Sequence, residues 1–442
     1  MSHLALKSGY TEMVERLNRF PQGAPPSETL YKILRLLLTE REAALVALMP
    51  IKPFTAKKAS AIWKMDIAEA TRVLDGLAGR AMLVDVFING EMTYTLPPPM
   101  AGFFEFAMMR TRGDIDQKLL SELLHQYLHV EEDFMRELVG RGDTQLGRIF
   151  VHEPALSAEN AVQVLDYERA TEVIKTSRVR GISTCYCRHK AMHLGKNCAA
   201  PLQICMTFSD AGESLTRHGY ARPVEVSESL DLLRQAWENN LVQFGENARD
   251  NVSFICNCCG CCCEAMQAAR KFGLLHPVHT TNFLPVVDEA KCNGCGKCVN
   301  ACPVEAMTLV STNDPHHPKM KKAKLNEEVC LGCGVCARTC DKQGITLRSR
   351  EKRVITPVNA VHRVVLMAIE RGNFQDLLFD NRVLWNHRAL AAVLGAVLRL
   401  PPIKQIMASQ QVKSRYMEYV AKHVTVEVAS SHSGRSGSSQ RN

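Results

Sequence analysis

The chain has 442 residues, enough for two to four domains, and its 46% hydrophobic content is typical of a folded protein with buried cores. The formal net charge of +8 is a modest surplus that fits an acidic partner but does not identify a nucleic-acid-binding protein. All eighteen cysteines lie between positions 185 and 340, and the first residues lack a secretory signal, so a disulfide-rich secreted protein is not expected. We expect a soluble chain from a reducing cytoplasm in which clustered thiols bind metal.

Residues 1–100 predict a small helical domain that ends in a hairpin. Helical spacing and candidate N-caps predict four helices, which begin near Ser27, Arg41, Thr55 and Asp66. Asn89-Gly90 lies between two apolar runs and is a strong signal of a hairpin turn. Helices followed by a hairpin predict a winged-helix-like domain.

A winged helix can bind DNA by placing its second helix in the major groove. Here that helix is predicted over Asp66–Ala78, and its exposed face is expected to carry Glu69, Arg72 and Asp75. This mixed charge is a poor match to phosphate, so we favour protein interaction over DNA binding for this domain.

Residues 101–180 are predicted to form a helical linker region, and residues 181–285 a cysteine-rich domain. Four thiols at the start of this domain are candidate ligands of a [4Fe–4S] cluster, and they are Cys185, Cys187, Cys198 and Cys205. Zinc is the competing metal, with His189 or His193 as further ligands. Nearby charge and hydrogen bonds tune a cluster, so Arg188, His189 and Lys190 are candidate tuning residues.

The densest group of thiols consists of Cys256, Cys258, Cys259, Cys261, Cys262 and Cys263. They cannot all bind one cluster, and on a strand or helix they would point in different directions. Three interpretations stay open. Some of these cysteines complete the upstream cluster, some form a further cluster, or some form a reactive dithiol that exchanges electrons.

Two runs in residues 286–350 share the spacing C-x₂-C-x₂-C-x₃-C, which is the signature of a bacterial ferredoxin with two clusters. In such runs, the fourth cysteine binds the other cluster. We therefore predict one [4Fe–4S] cluster on Cys292, Cys295, Cys298 and Cys340. The second is predicted on Cys330, Cys333, Cys336 and Cys302.

Two zinc sites are the alternative, but structural zinc does not need two complete four-cysteine runs. The runs are similar to bacterial dicluster ferredoxins over about 60 residues, which implies a ferredoxin-like (βαβ)2 domain. The linker between them either docks an acidic partner or forms a solvated loop, and its lysines are Lys319, Lys321, Lys322 and Lys324.

The end of the chain is predicted as a C-terminal helical region over residues 351–428 and a disordered tail over residues 429–442. The longest apolar run, Ala389–Leu398, is too short to span a bilayer. Together, the predicted winged-helix-like, cysteine-rich, ferredoxin-like and C-terminal helical parts make an α+β chain.

The order of motifs across residues 180–350 resembles a group of 4Fe–4S binding proteins from anaerobic microbes. The resemblance rests on Cys-x-Cys-Arg188, on Asn-Leu-Val-Gln243, on Ile-Cys-Asn-Cys-Cys-Gly-Cys-Cys-Cys ending at Cys263, and on the ferredoxin runs. It implies Fe–S electron transfer and no defined substrate.

No nucleotide-binding fingerprint and no Ser/His/Asp signature is present, so we expect an electron carrier or oxidoreductase component rather than a stand-alone enzyme. The leading hypothesis is electron transfer between partner oxidoreductases through two ferredoxin-type clusters and a third one upstream. One alternative is a reductive enzyme component whose cysteine-rich active site is fed by the ferredoxin domain. The other is a redox-sensing Fe–S transcription regulator.

Overall fold

The computed structural model describes residues 8–140, 142–272, 279–313, 315, 319–351, 353–381 and 383–398. The predicted tail, and the predicted C-terminal helical region beyond residue 398, lie outside the described residues. The described residues combine helices and strands, in agreement with the predicted α+β class. Within these residues, no helix is long and apolar enough to cross a membrane.

The N-terminal part folds into helices and short strands. In chain order they are α1 Gly9–Leu17, α2 Glu28–Leu37, α3 Glu40–Ala47, β1 Phe54–Thr55, α4 Ala56–Trp63, α5 Ile67–Gly79, β2 Val84–Ile88 and β3 Glu91–Thr95. The predicted N-caps Ser27, Thr55 and Asp66 are confirmed, because each side chain accepts a backbone hydrogen bond from its helix. The hairpin is confirmed too, since β2 and β3 pair antiparallel and both turn residues, Asn89 and Gly90, have positive φ.

The core of this part continues past residue 100. Strand β1 joins the hairpin in a sheet of order β1-β3-β2. Beyond it, α6 (Phe104–Phe106), α7 (Gln117–His125) and α8 (Asp133–Gly140) follow. Phe104 and Leu120 from these helices belong to the same apolar core as Leu30 of α2, so the segment predicted as a linker is packed into the N-terminal part.

The cysteine-rich part is built around one antiparallel sheet. In chain order its elements are β4 Gly147–Ile149, α9 Ala158–Gln163, α10 Ala170–Thr176, β5 Arg180–Thr184, α11 Tyr186–His193, β6 Gln203–Phe208, α12 Ser209–Arg217, β7 Arg222–Pro223, α13 Val226–Glu238, β8 Val242–Glu246, β9 Phe254–Cys258 and α14 Glu264–Phe272. Within the described chain, the strand order is β4-β8-β9-β6-β5-β7. Strand β4 pairs with β8, so the region predicted as helical linker also supplies an edge of this sheet.

The ferredoxin-type part and the C-terminal helices follow. Their elements are β10 Phe283–Val287, α15 Lys297–Ala301, β11 Met307–Ser311, β12 Lys321–Leu325, α16 Val335–Arg338, β13 Ile345–Ser349, α17 Ala360–Arg371, α18 Phe374–Leu378 and α19 Trp385–Leu398. Strand β10 pairs with β13 and β11 pairs with β12, each antiparallel. Each half therefore contains a strand, a cysteine run, a short helix and a second strand.

A buried carboxylate joins the N-terminal hairpin to α12. Asp85 on β2 is 4% exposed, accepts hydrogen bonds from Ser214 Oγ at 2.6 Å and His218 Nε2 at 3.0 Å, and pairs with Arg217 at 2.9 Å. Burial alone would raise the pKa of Asp85, but these partners hold it below its usual value. The network fixes the hairpin to the cysteine-rich part.

Asp85→Asn is expected to lower the free energy of unfolding by about 2 kcal/mol, because it leaves the groups around Asp85 without their anionic acceptor. Asp210→Asn on α12 is the control. Asp210 pairs with Arg178 at the surface, so its replacement should cost less than about 0.5 kcal/mol. Urea denaturation measures both variants, and equal midpoints would contradict this role of Asp85.

Candidate functional site

Two glycines shape the ferredoxin loops. Gly294 and Gly332 occupy equivalent places in the two runs, with φ values of 71° and 68°. A Cβ at Gly294 would lie 2.2 Å from the carbonyl oxygen of Lys321, and one at Gly332 would lie 2.2 Å from that of Phe283. Both loops therefore require glycine for their backbone conformation and for close contact with a neighbouring strand.

The structure brings the last cysteine of the second run to the cysteines of the first. One cavity of about 240 Å³ is lined by Cys292, Cys295, Cys298 and Cys340, and we call these four residues the outer site. The backbone N–H groups of Ala323 and Gly344 donate to the sulfurs of Cys292 and Cys340, at 3.4 and 3.3 Å. This grouping is the one that crossed ligation requires.

The last cysteine of the first run lies with the second run. We call this group the inner site, and it consists of Cys302, Cys330, Cys333 and Cys336. Backbone N–H groups of Ala306 and Gly332 donate to the sulfurs of Cys302 and Cys330, at 3.2 and 3.3 Å. Burial raises the pKa of the Cys330 thiol to about 11, so a bound metal must displace its proton.

The two sites differ in their surroundings. Cys295 of the outer site is exposed, whereas the second-run cysteines of the inner site are all buried. The inner site shares an apolar cluster with Cys258 and Cys263 of the cysteine-rich part. A Cβ at Gly260 would lie 2.8 Å from the carbonyl oxygen of Pro303, so the upstream thiol loop lies directly on the chain beside the inner site.

The structure divides the ten upstream cysteines into two groups. The first group lines a cavity of about 110 Å³ between the sheet and the N-terminal core, and we call it the thiol pocket: Cys185, Cys187, Cys205, Cys256, Cys258 and Cys263. The thiol of Cys185 contacts those of Cys187 and Cys205. Further contacts join Cys205 with Cys256 and Cys187 with Cys263, and the sulfurs of Cys263 and Cys258 are 3.1 Å apart. These contacts connect all six thiols.

The second group, which we call the four-thiol group, consists of Cys198, Cys259, Cys261 and Cys262. The predicted set of four upstream ligands is therefore not brought together, because Cys198 lies apart from the other three. The division has a local cause. Cys256 and Cys258 are alternate residues of β9 and point to one face of the sheet, whereas the turn after β9 carries the next three thiols to the segment of Cys198. Cys259 lies at the boundary, since it also lines the pocket cavity.

Arg188 lies between the two thiol groups. It is 2% exposed, and its guanidinium donates to the carbonyl oxygens of Pro201 at 2.9 Å and Asn257 at 2.7 Å. Burial alone would lower the pKa of Arg188, but the thiolates of Cys185 and Cys259 hold it above its usual value. Arg188 is thus placed where its charge can tune the pocket.

The other residues predicted to tune a cluster or bind zinc, which are His189, Lys190 and His193, have partners other than the thiols. Nδ1 of His189 donates to the carbonyl oxygen of Met108 at 2.7 Å. Its other ring nitrogen, Nε2, lies 3.3 Å from Nε2 of His193. The ammonium group of Lys190 pairs with Glu264. Neither histidine belongs to the four-thiol group of the described chain.

Two carboxylates at the thiol pocket were missed by the sequence analysis. Burial alone would raise the pKa of Glu264, but Lys190 and His129 lower it to about 2. At Glu105, burial dominates and raises the pKa of the carboxyl to about 7. The signal was available in both cases, since Glu105 interrupts the aromatic run Phe103–Phe106 and Glu264 directly follows the last pocket cysteine.

Two groups of four cysteines, with backbone N–H groups directed at their sulfurs, define a ferredoxin-type electron-transfer module. Residues 291–344 match the family model described as a 4Fe-4S dicluster domain. The match spans both cysteine runs and identifies this part of the chain as a [4Fe–4S]-binding domain. The comparison with curated proteins found no match to the chain.

Proposed function

We propose that the protein transfers electrons between redox partner proteins, and that the outer site, the inner site and the thiol pocket form the path. The observation that supports this most is the shared core. Cys330 and Cys333 of the inner site belong to the same apolar cluster as Cys258 and Cys263 of the pocket. The outer site reaches solvent at Cys295, which gives the path an entrance at the surface.

In this proposal, the crossed sets hold two [4Fe–4S] clusters, and cysteines of the thiol pocket hold a third. A bound [4Fe–4S] cluster accepts and gives electrons one at a time. The chain sets how readily this occurs, because the N–H groups of Ala306 and Gly344 stabilise negative charge on the sulfurs of Cys302 and Cys340. Burial of the inner site acts in the opposite direction, since it disfavours added charge.

A reductive titration of the anaerobically purified full chain tests this function. With two ferredoxin-type clusters, each taking one electron, at least about two electrons per chain should be taken up from dithionite. The uptake should be reversible, and EPR should show the reduced clusters. Uptake of less than about one electron per chain would contradict the proposal.

A basic rim around the outer site supports an acidic redox partner. Lys291, Lys297 and Lys342 line the same cavity as Cys295. Strand β12, which carries Lys321, Lys322 and Lys324, lies against the loop of the first run, since a Cβ at Gly294 would lie 2.2 Å from the carbonyl oxygen of Lys321. Nearby carboxylates offset part of this charge, since Lys297 pairs with Asp341. The remaining positive potential should attract anions toward the exposed sulfur.

Lys342→Glu is expected to slow reduction by the dithionite anion about threefold at low salt, because it replaces attraction near the outer site with repulsion. Reduction by the methyl viologen cation should become faster, and both effects should disappear at high salt. Lys57→Glu on α4 makes the same charge change in the N-terminal part and is the control. Stopped-flow rates measure the difference, and equal effects of the two variants would contradict the proposed entrance.

A reductive enzyme component is the second candidate, and Glu105 favours it. The carboxyl of Glu105 lines the thiol pocket, and its pKa of about 7 lets it hold or release a proton near neutral pH. The pocket also has apolar walls, to which Phe106, Met109 and Tyr186 contribute. A proton source beside an electron site is what a reductive reaction needs.

Proton uptake at Glu105 predicts a pH-dependent midpoint potential for the pocket. Added negative charge raises the carboxyl pKa further, so the potential should fall with rising pH, by up to about 59 mV per unit. Glu105→Gln should remove this slope, whereas Glu122→Gln on the exposed face of α7 should keep it. EPR-monitored redox titrations around neutral pH measure the slope. An unchanged slope in Glu105→Gln would exclude this proton site.

For the winged-helix-like domain we propose a protein-interaction role. Arg72 and Asp75 are both exposed on α5, and Glu69 pairs with Arg41 at 2.7 Å, so the face that would meet DNA carries mixed and partly neutralised charge. A gel-shift experiment with genomic fragments, in both redox states, separates this role from the regulator alternative. Salt-sensitive retardation in one state would support the regulator instead.

A further inference from the structure

The four-thiol group has the spacing of ligands around one ion. Its four sulfurs all lie within 4.8 Å of one another. The sulfurs of Cys198 and Cys259 are 3.8 Å apart, and those of Cys261 and Cys262 are 3.6 Å apart. In a tetrahedral site with Zn–S bonds of about 2.3 Å, neighbouring sulfurs are about 3.8 Å apart.

This spacing does not suit a cubane cluster. A [4Fe–4S] cluster needs a wider set of ligands, because each thiolate binds a different iron. The cavity of the thiol pocket is lined by six other cysteines, and Cys259 is the member of the four-thiol group that also reaches it. Disulfide bonds do not explain the group either, since they need sulfurs about 2.05 Å apart and all four cysteines are free.

Two segments of chain build the four-thiol group. The turn between β9 and α14 supplies Cys259, Cys261 and Cys262, and the segment between α11 and β6 supplies Cys198. The backbone N–H of Cys198 lies near the sulfur of Cys262, and that of Cys262 lies near the sulfur of Cys259. Such donors stabilise thiolates, which are the metal-binding form of cysteine.

Charge and access also suit a metal ion. Four thiolates and a divalent ion leave an excess of negative charge, and the buried guanidinium of Arg188 lies close enough to Cys259 to offset part of it. The hydrogen bonds of Arg188 to Pro201 and Asn257 join the segment of Cys198 to the end of β9, directly before the turn that supplies the other three thiols. Cys261 is exposed, so an ion can enter from solvent.

We infer that Cys198, Cys259, Cys261 and Cys262 bind one zinc ion, separate from the iron–sulfur sites. Four thiolates in tetrahedral spacing favour zinc, which has no redox chemistry and stays in place while electrons pass. The ion ties the segment after α11 to the turn after β9. Cys258 and Cys263 flank that turn, so the zinc site lies directly beside the thiol pocket.

Metal analysis of the anaerobically purified full chain tests this inference, with zinc, iron and sulfide measured on the same sample. We expect about one zinc per chain, loss of that zinc in Cys261→Ser, and no loss of iron. Cys185→Ser changes the thiol pocket instead, and should keep its zinc. Cobalt bound in place of zinc gives a second readout, because four thiolates around Co²⁺ produce an intense charge-transfer absorption.

Loss of iron and sulfide in Cys261→Ser would overturn the inference, because the group would then hold part of a cluster. A single iron without sulfide in place of zinc would overturn it too, as would the absence of both zinc and the cobalt absorption. If Cys261→Ser does not fold, the cobalt spectrum of the wild-type chain tests the inference, and an absent charge-transfer absorption would overturn it. Zinc and iron are counted separately, so failure of the electron-transfer proposal leaves this test intact.

Discussion

Cys340→Ser and Cys298→Ser are expected to remove the same cluster, although the two cysteines belong to different runs. Each variant should lose about four irons and the same EPR signal, because both thiols line the cavity of the outer site. Cys302→Ser should instead match Cys333→Ser, since those thiols meet at the inner site. Iron analysis and EPR of the four variants measure the pairing.

The exposure of Cys295 allows the two EPR signals to be told apart. A water-soluble paramagnetic ion should relax the outer signal more strongly than the inner one, because the inner site is buried. The signal lost in Cys340→Ser should be the more strongly relaxed one. If Cys340→Ser lost the same signal as Cys333→Ser, each run would bind its own cluster and the crossed assignment would be wrong.

Cys185→Ser is expected to remove about four irons while both ferredoxin signals remain. Cys185 contacts two other pocket thiols, so its sulfur occupies a central position in the thiol pocket. Its loss should therefore remove a cluster bound there. Iron counting and EPR of the reduced variant are the measurements.

Cys198→Ser is the matched control for Cys185→Ser. The spacing of the cysteines in the sequence predicts both residues in one ligand set, whereas the structure places Cys198 in the four-thiol group. We expect Cys198→Ser to keep its iron. A loss of about four irons in both variants would support the ligand set predicted from the sequence, in which Cys185 and Cys198 bind the same cluster. It would contradict the division seen in the structure.

Local signals predicted the parts of the fold that depend on neighbouring residues. The N-caps Ser27, Thr55 and Asp66, and the Asn89-Gly90 turn, are determined by side chains and backbone angles within a few residues of each element. The ferredoxin runs are also determined locally, because the spacing of their cysteines determines the geometry of the loop. The structure accordingly groups Cys340 with the first run, as crossed ligation requires.

Three features were not predicted from the sequence: the division of the upstream thiols, the buried network of Asp85 and strand β4. The partition of the thiols between Cys256 and Cys263 depends on where β9 ends, since residues up to Cys258 alternate on a strand and later ones follow a turn. The buried network of Asp85 joins residues more than a hundred positions apart. Strand β4 escaped prediction for a different reason, because three residues are too few to show a strand period.

The number of irons and acid-labile sulfides in the anaerobically purified chain, read together with EPR of the reduced protein, tests the central claim most directly. Three [4Fe–4S] clusters predict about twelve irons and about twelve sulfides per chain, with two of the EPR signals arising from the ferredoxin-type module. Fewer than about eight irons, or zinc in the outer and inner sites, would contradict the account.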